Sequence, residues 1–393
     1  MDKGVVIRYY KRKDIQNCMV EHARNREVIV RYGLQSFGKR PDILNYPREV
    51  IEQVINGTTS FHCSEERWSN PLELSTEMKK KEMEELREVW DLVLDIDCLD
   101  WEFSKLTAHL FIKALKHEGV KNISAKFSGN KGFHIGVPFE SFPPKISGQE
   151  TKSLFPKGPQ KIAQYLLNQI STNYSKIENN KIIFGEDHSF TLAQLKEKFG
   201  DKEFIINNCL KCNKKVNLGK KESPQFICSK CDQIVESKER FQECDKCKIL
   251  MEKIEKNNTL CPCGSDEYSR NFDPLSIIEV DTILISSRHL YRMPYSLHEK
   301  SSLASVVIDP DKVMEFTKDQ AKPEQVKVSE IKFLDRDVPV SGGQLLLQAL
   351  DFEVKPEEDY SEEDFKEDFI KIEGAIKEEL FPPCLKKLLE GIE

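Results

Sequence analysis

The chain has 393 residues, of which 39% are hydrophobic and 32% charged, enough apolar content for one large core or two ordinary ones. No run approaches the ~18–20 uninterrupted apolar residues that span a bilayer, and the opening residues 1–16, MDKGVVIRYYKRKDIQ, are too charged for a secretory signal. The expectation is a soluble, cytoplasmic protein with no membrane partner. The net charge of −7 is unevenly spread: residues 356–379 hold eleven acids and three lysines, which leaves the rest of the chain at about +1. A body so near neutrality can still carry a basic groove. The acidic stretch reads as a solvated helix face or linker, with partner docking as the alternative.

In chain order, Ile15, Met19, Val20 and Ala23 recur at helical spacing, and that helix is expected to end near Asn25. Residues 76–90 read as a charged helix. DLVLDIDCLD, residues 91–100, reads as a buried strand. Residues 103–117 form a strong amphipathic pattern that stops at Glu118-Gly119. ISAKFSGNKGFHIGVPF, residues 123–139, gives two short strands around a Ser-Gly-Asn-Lys-Gly turn, and residues 158–180 are helical again. Strand pattern returns in 275–294 and at SVVI, and the chain after Pro310 is helical and increasingly acidic. Mixed strands and helices with antiparallel hairpins point to an α+β fold.

Three constellations carry chemistry. Asp95 and Asp97 are two apart on a strand, so both carboxylates lie on one face. Such a pair calls for a divalent cation, Mg²⁺ or Mn²⁺, although acids ending a strand also simply begin loops. Ser128-Gly129-Asn130-Lys131-Gly132-Phe133-His134 can turn backbone N–H groups, with Ser128, Lys131 and His134, toward an anion; a hairpin with a structural histidine is the plainer reading. Asp281 precedes a dense cationic run, Arg288, His289, Arg292, His298 and Lys300, which suits an anionic partner or a salt-bridged surface.

Eight of the twelve cysteines fall between Cys209 and Cys263. Without an export signal, close pairs read as metal ligands. Cys209-x2-Cys212 with Cys228-x2-Cys231 has zinc-ribbon spacing, and Cys244, Cys247, Cys261 and Cys263 can close a second four-sulfur Zn²⁺ site. Interleaved pairing remains open, and so does a DNA-contacting role beside the structural one.

Taken together, DID, SGNKGFH and RHLYRMPYSLHEK, in this order, resemble the catalytic motifs of the small subunit of archaeo-eukaryotic DNA primases, over residues 7–309. YYKRKDIQNCMVEHARNREVIVRYG resembles that family's opening. The resemblance implies an RRM-like mixed sheet core with flanking helices, built from 1–204 and 269–310. A zinc-ribbon-like insertion occupies 205–268, and a helical acidic region 311–393. It implies two-metal nucleotidyl transfer that makes RNA or DNA primers on a single-stranded DNA template from nucleoside triphosphates, with a primase large subunit as partner, and a place at the nucleoid if the source is archaeal. Asp95, Asp97 and Asp281 would be the metal carboxylates. Ser128, Lys131, His134, Arg288, Arg292, His298 and Lys300 would hold the nucleotide, with His289 on the same strand and Arg26 at the cleft border. The stretch from Asp281 to His289 is about one residue shorter than in that family, which makes Glu279 a competitor for the third carboxylate. The family often has Gly where this chain has Ser302. Phe381-Pro382-Pro383-Cys384 resembles the start of the large subunit's iron–sulfur domain, but one cysteine cannot hold a cluster. The alternatives are a stand-alone primase-polymerase of repair or mobile elements, and a non-catalytic zinc-ribbon protein that binds nucleic acid.

Overall fold

The computed structural model describes residues 2–34, 36–212, 214–216, 225–237, 241–253 and 261–352. The acidic stretch 356–379 and Cys384 lie outside the described residues.

The fold is mixed α/β, with several small sheets. The larger of the two main sheets is fully antiparallel, in the order Ile278–Val280, Leu92–Cys98, Phe133–Val137, Ser124–Phe127 and Val307–Ile308. Leu92, Leu94 and Ile96 are buried on one face of its second strand, as the alternation of DLVLDID requires. The helix Trp101–His117, capped by the Asp100 side chain, packs on this sheet, and Lys157–Thr172 packs beside it. The smaller sheet runs Ser36–Phe37, Val28–Tyr32, Ser60–Ser64 and Leu290–Arg292. Helices Lys3–Tyr10, Lys13–Ala23 and Pro47–Ile55 pack together beside its N-terminal strands. Ile15, Met19 and Ala23 are buried and Val20 packs against the core.

Four expected elements differ. Within 76–90 only Lys80–Leu86 is helical; Arg87–Trp90 pairs with Glu66–Trp68, drawn in by the burial of Trp68 and Trp90. The second helix stops at Thr172, and Ser175–Glu178 starts a three-stranded meander. The strand pattern of 275–294 is not one strand. A 3₁₀ turn at Asp281–Leu284 carries the chain from the larger sheet to the smaller one. After Pro310 the described chain is mostly 3₁₀ turns and irregular structure before the helix Gly343–Asp351.

The cysteine-rich segment leaves and rejoins the body through paired strands Ile205–Cys209 and Tyr268–Phe272. Among the described residues no helix is long and apolar enough to cross a membrane.

Candidate active site and metal centres

The register of the larger sheet builds a polar row. Asp95 lies opposite His134, and His134 lies opposite Lys126. Directly opposed residues share a face, so the three side chains stand side by side on the face turned away from the Trp101–His117 helix. The smaller sheet covers this row. The ring of Tyr291 is 6.0 Å from that of His134, and its hydroxyl is 2.6 Å from Nε2 of His22.

One edge of the row is acidic. Asp97 faces Glu279 across the strands, and Lys131 Nζ lies 3.4 Å from Asp97 and 3.7 Å from Glu279. The backbone N–H of Asp95 donates to Thr282, whose hydroxyl donates to the Val93 carbonyl. Thr282 thereby ties the Asp281 turn to the carboxylate strand. Burial, then the charges of Asp97 and Asp281, push Asp95 up to about 7. Burial also raises Asp97, opposed by Lys131 and reinforced by Asp281 and Glu279. Gly132 packs directly against this edge: a Cβ there would stand 2.1 Å from Oδ1 of Asp97. Clustered carboxylates that raise one another, beside a backbone without a side chain, suit a hard divalent cation with oxygen ligands. Among the described residues the three aspartates do not gather within the 4.8 Å that unites each cysteine quartet.

The other edge is cationic. His134 Nε2 is 3.3 Å from Asp95 Oδ1, and Lys126 Nζ is 2.9 Å from His134 Nδ1. Arg292 stands opposite His62 in the smaller sheet and donates to the Leu297 carbonyl. Glu299 joins two guanidinium groups. Its Oε1 is 2.5 Å from Arg31, and its Oε2 is 2.9 Å from Arg292, as an ion pair without hydrogen-bond alignment. His298 accepts from the backbone N–H groups of Lys300 and Ser301, and burial, then Arg292, lowers it to about 4. Ser128 and Gly132 close their loop by reciprocal hydrogen bonds, Ser128 N–H to the Gly132 carbonyl and Gly132 N–H to the Ser128 hydroxyl. Gly129 has φ 98°, and a Cβ there would lie 2.9 Å from the Cβ of His298. The Ser128 loop therefore abuts the Arg292–His298 segment, and Ser301 donates to the Gly129 carbonyl.

The structure thus brings together Asp95, Asp97, Asp281, Ser128, Lys131, His134, Arg292 and His298. Lys300 is exposed beside them. Arg288 and Arg26 are engaged elsewhere. Arg288 and Arg40 clamp the buried Glu27, and Arg26 is fully buried on Asp91 at 2.5 Å. His289 Nδ1 pairs with the buried Glu65 at 2.9 Å. Burial opposes the charge on His289, but Glu65, Asp95 and Asp281 raise its pKa. Sequence reading passed over Lys126, Arg31, His62, Glu65 and Glu299. The only signal for the first two was a basic residue in an otherwise apolar strand.

The cysteines form two quartets. Cys209, Cys212, Cys261 and Cys263 make one, and Cys228, Cys231, Cys244 and Cys247 the other. The pairing is nested, which corrects the expectation of Cys209–Cys212 with Cys228–Cys231. The inner strand Gln225–Ile227 pairs with both Ile234–Glu236 and Glu252–Lys253, and this small sheet holds the inner quartet together. In the inner quartet each knuckle has the same turn. Asp232 N–H reaches the Cys228 carbonyl and Lys248 N–H the Cys244 carbonyl, with φ 55° and 53° at those two residues. Sulfur separations of 3.5, 3.3 and 3.6 Å are close to the about 3.8 Å that tetrahedral Zn–S bonds impose. Both quartets can hold zinc. Their apolar cores are small, Phe226 and Met251 around one and Val216 beside the other, so metal would supply much of their folding energy.

No family model matches the chain. An uncharacterized protein of Methanocaldococcus jannaschii is 30% identical over 115 residues, which are 29% of this chain and 25% of that protein. The chain thus matches about a quarter of that relative's length.

Proposed function

We propose that the chain is the catalytic subunit of a DNA primase of the archaeo-eukaryotic type. It would make short RNA or DNA primers on single-stranded DNA from nucleoside triphosphates, in company with a large subunit. The observation that carries this reading is that an acidic edge on the larger sheet, Asp95 and Asp97 with Asp281 near, adjoins a cationic pocket formed where Arg292 of the smaller sheet and His298 meet the Ser128 loop. A metal-bound triphosphate needs both at once. The antiparallel sheet with helices on its far face is in keeping with that family's RRM-like core.

Mg²⁺ or Mn²⁺ held by the carboxylates would supply Lewis acidity for displacement at the α-phosphate. The chain's own groups do the rest. Arg292 and His298 neutralise phosphate charge, and the Ser128 hydroxyl, which among the described residues accepts from Gly132 N–H and donates to none, keeps its own hydrogen for a phosphoryl oxygen. Gly129 lets the loop approach closely. Lys131 offsets the charge of Asp97 and Glu279. No side-chain nucleophile is required, because the attacking group is a nucleotide hydroxyl. The zinc quartets have a structural role in this scheme, since four thiolates leave no open coordination position.

Equilibrium binding of a fluorescent nucleoside triphosphate tests the reading. Binding should need Mg²⁺ or Mn²⁺ and should weaken at least tenfold in Arg292→Ala and in Asp95→Ala separately. A folded, zinc-loaded chain that holds single-stranded DNA but no nucleotide would be a nucleic-acid-binding protein instead.

A further inference from the structure

Strand register in the smaller sheet lines up a second row of side chains, on the face that carries Arg292. Arg292 lies opposite His62, Ser60 opposite Arg31, and Arg31 opposite Phe37. Directly opposed residues share a face, and so do Ser60 and His62, two apart on one strand. The row therefore runs from Arg292, in the pocket already described, to Phe37 on the edge strand. Exposure rises along it. Arg292 is buried, Arg31 and His62 are half-buried, and Phe37 is 55% exposed.

A single exposed apolar side chain needs no explanation, but this ring is held in place. The Arg31 guanidinium lies over it, 4.9 Å from its centre. The His62 ring stands beside it at 6.0 Å, tilted by 73°. Arg31 is itself fixed by Glu299, whose other oxygen pairs with Arg292. The edge strand is drawn tight just past the ring: the Gly38 N–H donates to the Val30 carbonyl at 2.7 Å, and a Cβ on Gly38 would stand 2.6 Å from the Val30 side chain. A fixed, open ring backed by a cation is a surface on which a nucleobase stacks. The neighbouring side chains offer charge and ring faces more than partners for a base edge, which suits a strand taken up without regard to sequence. Phe37 is three strands from Arg292, about 14 Å at the usual strand spacing. It lies outside the phosphate pocket, on open surface where a continuous strand can pass.

We propose that Phe37 is a base-stacking platform for single-stranded DNA, with Arg31 holding the ring. That the strand is a primase template rests on the primase reading; that a nucleobase of single-stranded DNA stacks on Phe37 does not.

The test is equilibrium binding of the full, zinc-loaded chain to a labelled oligo-dT and to an abasic sugar-phosphate strand of the same length. Phe37→Leu keeps apolar bulk but removes the ring, and should weaken oligo-dT binding about 5- to 100-fold. Phe37→Trp should stay within about threefold of the wild type, and its fluorescence should be quenched by the oligonucleotide. The abasic strand should not distinguish wild type from Phe37→Leu. The dependence of oligo-dT affinity on salt should keep its slope, because no phosphate contact is lost. Binding of a fluorescent nucleoside triphosphate should be unchanged. Wild-type affinity for oligo-dT in Phe37→Leu would overturn the proposal and leave the face to a protein partner or to solvent. An equal loss on the abasic strand, or a loss confined to the nucleoside triphosphate, would overturn it as well, as would a wild type that does not bind oligo-dT. Primer synthesis separates the two claims. Synthesis by the wild type with oligo-dT binding unchanged in Phe37→Leu defeats the platform and spares the primase reading. Ring-dependent oligo-dT binding without synthesis does the reverse.

Discussion

Asp95 and His134 face each other across antiparallel strands, with Nε2 of the histidine 3.3 Å from Oδ1 of the aspartate. This pair is where the acidic and cationic halves of the site touch. Most of the expectations below follow from what surrounds it.

Metal and proton compete for Asp95. In the metal-free protein its carboxyl is raised to about 7 by burial and by the charges of Asp97 and Asp281. A carboxyl raised on folding binds more protons folded than unfolded between its two pKa values. The metal-free fold therefore loses stability as pH rises from about 4 to about 7, and the loss persists above that range. Because the side chain is 23% exposed, solvent screening limits the loss to ~2 kcal/mol. Urea melts across this range should show the slope. Millimolar Mg²⁺ should reduce it, and Asp95→Asn should flatten it.

The nested cysteine pairing makes a zinc count decisive. Cys209→Ser with Cys261→Ser removes two ligands of one quartet and should leave one zinc per chain. Cys209→Ser with Cys228→Ser takes one ligand from each quartet and should leave none firmly held after dialysis against a mild chelator. Sequential pairing reverses the second result, since it puts Cys209 and Cys228 in one site.

Gly132→Ala puts a Cβ 2.1 Å from the Asp97 carboxylate and 2.2 Å from the Ile96 carbonyl. Part of the consequence is strain of about 1–3 kcal/mol, seen as a lower melting temperature. The rest is a displaced carboxylate, seen as at least tenfold weaker Mn²⁺ binding by titration calorimetry in protein that remains folded.

Asp91 answers two buried guanidinium groups, Arg26 at 2.5 Å and Arg67 at 3.3 Å. Asp91→Ala leaves Arg26 buried without a counter-charge and should cost about 3–5 kcal/mol in denaturant melts. Arg67→Ala should cost less, because Asp91 keeps its ion pair with Arg26 and the other carboxylate it frees, Glu140, is partly exposed.

How much of this was legible depended on whether a signal was local. Asp95 and Asp97 could be read because strand alternation alone puts both on one face, and the Ser128 turn because its glycines lie between two apolar runs. Lys126 could not be read. In ISAKF it looks like the solvent-facing lysine of a hairpin, and only a second sheet lying over that face, with Tyr291 above it, buries it. Arg288 and Arg26 seemed free for a ligand because their counter-charges, Glu27 and Asp91, are set by tertiary packing. The zinc knuckles were plain from spacing, but spacing is the same for sequential and nested closure, so the pairing had to come from the strands between them. The broken strand at Asp281 was hidden because both halves of 275–294 are apolar, although they belong to different sheets.

The central claim is best tested by primer synthesis on single-stranded DNA, with labelled ribo- or deoxynucleotides and Mg²⁺ or Mn²⁺, with and without an archaeo-eukaryotic primase large subunit, beside an Asp95→Ala, Asp97→Ala double variant of equal zinc content. Template-dependent product from the wild type and none from the variant is the predicted result. Product that persists in the variant, or no product from the folded wild type under any of these conditions, would contradict it.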